Sequence, residues 1–214
     1  MKVTTHHLIA CVAFLAVFAS AGLFAQETTP PDTPEQEEII PSYTLGDQMF
    51  SINLGGFFPL FYFNPVADIP SGTERVQPSN LTIGGAGALR WATFLTNELS
   101  IGAEIGGMFS FTPNDRVLFM LPLTAQVSYF FRDYPFEVPL YLGVGANFER
   151  LDDQFHVSPI LKPGGSFYWN FDANWAFGAN VVYWWIPQIY GDSRAGDTRI
   201  GNFFEVTLSA LYHF

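Results

Sequence analysis

The chain has 214 residues, of which 49% are hydrophobic and 17% aromatic but only 14% charged, and its formal charge is −11. A soluble domain carries about a quarter charged residues, and an acidic surface excludes nucleic acid as a partner. Past residue 25 no run of 18 or more apolar residues occurs, so no helix is predicted to span a bilayer; such a chain satisfies its backbone in lipid only as a closed sheet.

Residues 1–25 read as a signal peptide. Lys2 supplies the positive start, Leu8 to Phe24 is apolar, and cleavage is expected after Ala21 or Ala25. The one cysteine, Cys11, precedes most of that apolar run, a position unsuited to acylation, and it leaves with the signal. Residues 26–47 follow with six acids (Glu27, Asp32, Glu35, Glu37, Glu38, Asp47), four prolines and no base. This stretch is predicted to be a disordered acidic, proline-rich tail, since it has too little apolar surface to offset chain entropy.

From Gln48 to Phe214 the hydrophobic period is two, the period of a strand with one apolar face. Eight segments alternate in this way. One face of the first carries Phe50, Ile52, Leu54, Phe58, Leu60 and Tyr62, and one face of the second Leu81, Ile83, Leu89 and Trp91. The third to fifth run through Leu99–Phe111, Val117–Tyr129 and Phe136–Phe148. The sixth, Val157–Trp169, is broken by Pro159 and Pro163, and the last two are Trp175–Trp185 and Phe204–Phe214. The opposite faces hold residues such as Ser51, Asn53, Thr124, Gln126, Asn147, Asn180, Thr207 and Ser209.

Connectors alternate in kind. Thr96–Glu98, Arg132–Pro135 and Asn170–Asn174 are tight, whereas Asn64–Asn80, Thr112–Arg116, Arg150–His156 and Gly191–Thr198 are polar or rich in proline and glycine. Trp91, Tyr129, Trp169, Trp175, Tyr212 and Phe214 fall on the apolar face at one height, and Tyr62, Phe109, Phe148, Tyr183 and Trp185 at the other. Short turns at one end, longer loops at the other and two aromatic rings describe a barrel with its apolar face in lipid. The predicted fold is all-β: a closed eight-stranded antiparallel up-and-down transmembrane barrel over residues 48–214. Its expected place is a bacterial outer membrane, with both termini periplasmic and membrane lipid as its main partner. Alternation continues to the last residue through Val206, Leu208, Ala210, Tyr212 and Phe214. That ending resembles the signal read by the outer-membrane assembly machinery.

The other parity predicts the lumen. With Thr96–Glu98 as the turn, Arg90 lies across from Glu104 on the neighbouring strand, and an ion pair is expected there because an unpaired charge in a narrow lumen is costly. Lys162 and Glu205 are the other inward charges near mid-height. Their role is either a charged plug or plain lumen filler. Nearer the outer end Phe57, Phe61, Leu118, Met120, Val182, Trp184 and Phe203 share the inward parity, above a mainly polar floor. An apolar vestibule suits a small hydrophobic ligand; an interior of eight strands is equally able to be filled by its own side chains.

Leu121-Pro122-Leu123-Thr124, Tyr129-Phe130-Phe131 and Pro139-Leu140-Tyr141-Leu142-Gly143-Val144-Gly145-Ala146-Asn147-Phe148 resemble the OmpW family, as do Leu95–Gly102 and Ala173–Tyr183. The resemblance implies a narrow outer-membrane barrel whose hydrophobic channel passes small apolar molecules. The Arg90–Glu104 pair is similar instead to the plugged interior of OmpA-type barrels, which implies a non-conducting structural or surface-interaction protein. A third class is a lipid A-modifying enzyme: His156-Val157-Ser158 resembles the pair used by one outer-membrane deacylase family. A serine nucleophile needs a base that a third group orients, and no acid occurs between Asp153 and Asp172. No catalytic role, cofactor or metal site is therefore predicted.

Overall fold

The computed structural model describes residues 42–65, 74–114, 116–191, 196 and 198–214. The signal segment 1–25 and residues 26–41 of the tail lie outside the described residues. Nine strands follow one another: β1 (Gln48–Phe63), β2 (Val76–Pro78), β3 (Gly84–Phe94), β4 (Leu99–Phe111), β5 (Val117–Asp133), β6 (Phe136–Leu151), β7 (Gln154–Asn170), β8 (Trp175–Gln188) and β9 (Arg199–His213). Each long strand pairs antiparallel with the next, and β9 returns to β1, which closes an eight-stranded barrel. The short β2 pairs with Phe61–Phe63 of β1 and continues the edge above the start of β3.

Period-two patterning is realised on the whole circumference. Leu54 and Leu208 are 66% and 74% exposed, while their neighbours Asn53 and Thr207 are each 1% exposed. An exterior this apolar is stable only against lipid, and the pairing of β9 with β1 closes the ladder around it. The fold is thus a transmembrane barrel.

Leu95–Glu98, Tyr134–Pro135 and Phe171–Asn174 turn the chain at the end that also holds Gln48 and Phe214, here the terminal end. At the opposite, far end the connectors differ in length. Arg150–His156 is not the polar loop that its composition suggests. β6 and β7 continue to Leu151 and from Gln154, and Asp152–Asp153 form a two-residue turn with Asp152 at φ 52°. Aspartate tolerates the left-handed backbone that such hairpins require. Exposed Trp91, Tyr129, Trp169, Trp175 and Phe214 ring the terminal end, and Phe109, Phe155 and Trp185 lie on the outside towards the far end.

The seam is made by the chain's last residues. Met49↔His213 through Phe57↔Glu205 run in unbroken register, and Gln48 and Phe214 exchange two backbone hydrogen bonds of 3.0 Å. Above Phe57 the register shifts between Pro59 and Phe61, because Pro59 has no N–H to donate and a bulge takes up the extra residue. Phe61 then pairs with outward Asn202 and Tyr62 with Gly201, so parity is reversed for the rest of β1. Tyr62, expected on the lipid face, packs into the lumen, and Phe61, expected in the vestibule, leaves it. Leu81 also changes side: it precedes the start of β3 and packs against the lumen cluster.

Candidate functional site

The lumen is stacked in layers. At the terminal end, Ser42–Asp47 are not part of a disordered tail. Asp47 Oδ2 accepts the Thr44 N–H at 2.7 Å, and Gly46 sits at φ 99°, which forms a turn before β1. The turn carries Tyr43 under the barrel, where its ring stacks on Phe94 (centroids 4.4 Å) and His213 (4.7 Å). Arg132 lies over the Tyr43, Phe130 and Phe94 rings at 4.2, 4.9 and 5.1 Å and pairs with Glu137 at 3.2 Å. Burial, with the Glu137 carboxylate beside it, pushes the Tyr43 phenol well above its usual range. The floor is therefore an aromatic plug, where the sequence suggested mainly polar groups.

Above it lies an amide and hydroxyl layer. Asn180 Nδ2 donates to Asn53 Oδ1 at 2.9 Å and to Thr207 Oγ1 at 3.0 Å, and the Tyr168 hydroxyl reaches Asn180 Oδ1 and Ser209 Oγ, each at 3.1 Å. The next layer is charged. Arg90 Nη2 lies 2.8 Å from Glu104 Oε2, while Lys162 pairs with the other Glu104 oxygen and lies 3.5 Å from Glu205. Two cations and two carboxylates cancel, and the rings of Tyr141 and Trp184 close the set: Arg90 lies 4.1 Å from the first and Lys162 4.3 Å from the second. Trp184 Nε1 also donates to Glu205 at 2.8 Å. Charges this deep persist only when paired and hydrogen-bonded on all sides.

Phe57, Met108, Met120, Val182, Trp184 and Phe203 form the next layer, each 2% exposed or less. Phe57 meets Trp184 edge-on at 5.2 Å and Phe203 at 5.0 Å. Four of the residues expected in the vestibule, Phe57, Val182, Trp184 and the lower part of Phe203, are consequently packed against one another. Above them space opens into a cavity of ≈ 340 Å³ at the far end. Leu118, Met120 and Phe203 line it, with Tyr62, Ile186 and Leu151. Glu149, Gln154, Gln188 and Arg199 add polar groups that the sequence does not single out, beside His156 of the His156-Val157-Ser158 segment. Their signal is inward parity at the strand tips, hidden at Gln154 by the expectation that Arg150–His156 is loop.

His156 and Ser158 do not form a nucleophile pair. The His156 ring stacks on Tyr190 at 4.9 Å, and the buried Ser158 Oγ makes no hydrogen bond among the described residues. Tyr212 and Phe214 face outward beside the seam, and their rings lie 6.0 Å apart.

Known proteins resemble the chain in fold and in sequence. Neisserial surface protein A, whose crystal structure is known, superposes with a TM-score of 0.56 at 12% identity, over 78% of this chain and 96% of that one. OprG of Pseudomonas aeruginosa gives 0.49 at 14% identity, over 82% and 99%. Both are small outer-membrane barrels, and at these identities the likeness is one of fold alone. An uncharacterized protein of Borreliella burgdorferi is 27% identical over 180 residues, 74% of this chain and 79% of its own length. One of Treponema pallidum is 23% identical over 210 residues, 97% and 94%. A model of an uncharacterized family matches residues 29–212, and the chain belongs to that family.

Proposed function

We propose that this protein is an outer-membrane barrel that binds a small hydrophobic solute at its outer mouth and does not conduct along its axis. The supporting observation is the order of the layers: a cavity of ≈ 340 Å³ sits above a lumen filled in turn by apolar, ionic, amide and aromatic groups. An eight-stranded barrel has room for either side chains or one small ligand, and here the two share the lumen by height. The OmpW resemblance and the barrel neighbours support outer-membrane location; the short turns gathered at the end that holds both Gln48 and Phe214 support periplasmic termini, and the alternation through Tyr212 and Phe214 supports a role for them as an assembly signal. Outward apolar strands make lipid the partner of the wall.

Refolded protein in a planar bilayer is expected to show no steady conductance, while N-phenyl-1-naphthylamine binds it saturably and loses affinity in Leu118→Asp. Stable conductance steps in the wild type would refute the closed lumen. Probe binding that Leu118→Asp leaves unchanged would place the solute elsewhere, on the lipid face.

A further inference from the structure

We infer that the far-end cavity takes an amphipathic organic cation, its ammonium held by Glu149 and its apolar body by Leu118, Met120, Ile186 and Phe203. This rests on the binding role proposed above and narrows its ligand class. Glu149 is only 6% exposed, on β6, in register with Met120 of β5 and His156 of β7, and it lines the cavity. Its carboxylate has two partners, both neutral. Gln188 Nε2 donates to Oε1 at 2.6 Å and Asn147 Nδ2 donates to Oε2 at 3.4 Å. Among the described residues no lysine or arginine comes within ion-pair distance of it.

The other three buried inward acids are treated differently. Glu104 has Arg90 and Lys162, Glu205 has Lys162, and Glu137 has Arg132. A carboxylate withdrawn from water stays costly until a cation joins it, and Glu149 is the one of the four left open to a cavity. The other charged groups around that space do not supply the cation. Arg199 Nη1 is turned to the Gly196 and Thr198 carbonyls at 2.9 and 2.7 Å, and the His156 ring is stacked on Tyr190. Tyr62 and Phe203, edge-on to each other at 6.0 Å, line the same cavity, and the face of an aromatic ring attracts a cation rather than an anion. The volume, ≈ 340 Å³, lies at the small end for ligand pockets, which selects a compact aryl-alkyl amine over a lipid or a peptide.

Three matched probes separate charge from shape: 2-phenylethylammonium, neutral 2-phenylethanol and anionic 3-phenylpropanoate, titrated calorimetrically into the full chain refolded in a zwitterionic detergent. The ammonium is expected to bind roughly tenfold more tightly than the alcohol, about 1.4 kcal/mol, with the anion weakest. Glu149→Gln should bring the ammonium down to the alcohol's affinity and leave the alcohol unchanged. Equal saturable binding of ammonium and alcohol by the wild type would overturn the cation assignment and spare the hydrophobic-solute role. Preference for the anion would overturn it in favour of Arg199. No saturable binding of any probe would overturn both. The wild-type comparison stands even if the variant fails to refold.

Discussion

Glu104 and Glu149 are both buried glutamates that point into the same barrel, and their surroundings are opposite. Glu104 is held by a guanidinium and an ammonium, whereas Glu149 has two amide donors and a cavity. The terminal half of the lumen is thus built to be closed, each charge answered by another charge of the chain. In the far half one charge is left for something else to answer. On the proposed reading, structure and recognition occupy different heights of one lumen, and the contrast is open to direct attack.

The largest effect is expected at the charged layer. Glu104→Ala strands Arg90 in the lumen, leaves Lys162 only Glu205, and should destabilise the barrel by about 3–5 kcal/mol. Replacing both Arg90 and Glu104 by Met should cost less than the sum of the single changes, read from urea unfolding in micelles. Strict additivity would show that the 2.8 Å contact carries no coupling. Next comes the aromatic plug. Arg132→Ala removes three ring contacts and leaves Glu137 without its cation, so a loss of about 2 kcal/mol is expected. Tyr43→Phe keeps the stacking and gives up one 3.3 Å hydrogen bond, so it should cost about 1 kcal/mol or less. A thermal melt in which Tyr43→Phe matches Arg132→Ala would mean that the hydroxyl, not the stack, holds the plug.

Alternation made the wall and the charged pair legible. The Arg90–Glu104 partnership followed from a tight turn at Thr96–Glu98, since a short hairpin pins its register. Lys162 and Glu205 were recognisable as inward charges, but the meeting of Lys162 with Glu104 depends on the closed barrel, which brings together residues 58 apart in the chain. Local irregularities were less visible. The exchange of Phe61 for Tyr62 hangs on one bulge at Pro59, and parity counting assumes there is none. Tyr43 was hidden because the acidic, proline-rich composition around it reads as solvated, although Gly46-Asp47 is a turn signature directly ahead of the alternation. Glu149 stands directly ahead of the expected loop Arg150–His156, which is in fact the paired tip of two strands and carries it beside the cavity.

The seam yields a smaller effect on stability than on assembly. Phe214→Asp puts a charge at the edge of the lipid face, where the cost is about 1 kcal/mol or less, yet it alters the chain end that pairs with Gln48. Surface-exposed barrel in cells should fall well below that of His213→Asn, whose side chain is buried in the plug. Equal amounts of both variants would show that the terminal aromatic is not read during assembly.

The smallest effect is expected at Glu149, and it is the one that most sharpens the contrast with Glu104. Glu149→Gln removes a buried charge and keeps an acceptor for Gln188, which lies 2.6 Å from it in the wild type. A hydrogen bond of this kind contributes about 1 kcal/mol, and relief of carboxylate desolvation opposes its loss. The two terms nearly cancel, so the urea midpoint should move by less than about 1 kcal/mol in either direction. In Glu104→Gln the same relief of desolvation is outweighed, because Arg90 loses its carboxylate partner and Lys162 the nearer of its two. If Glu149→Gln proved as destabilising as Glu104→Gln, the carboxylate would have to be structural, and the far half of the lumen would be sealed by the same means as the terminal half.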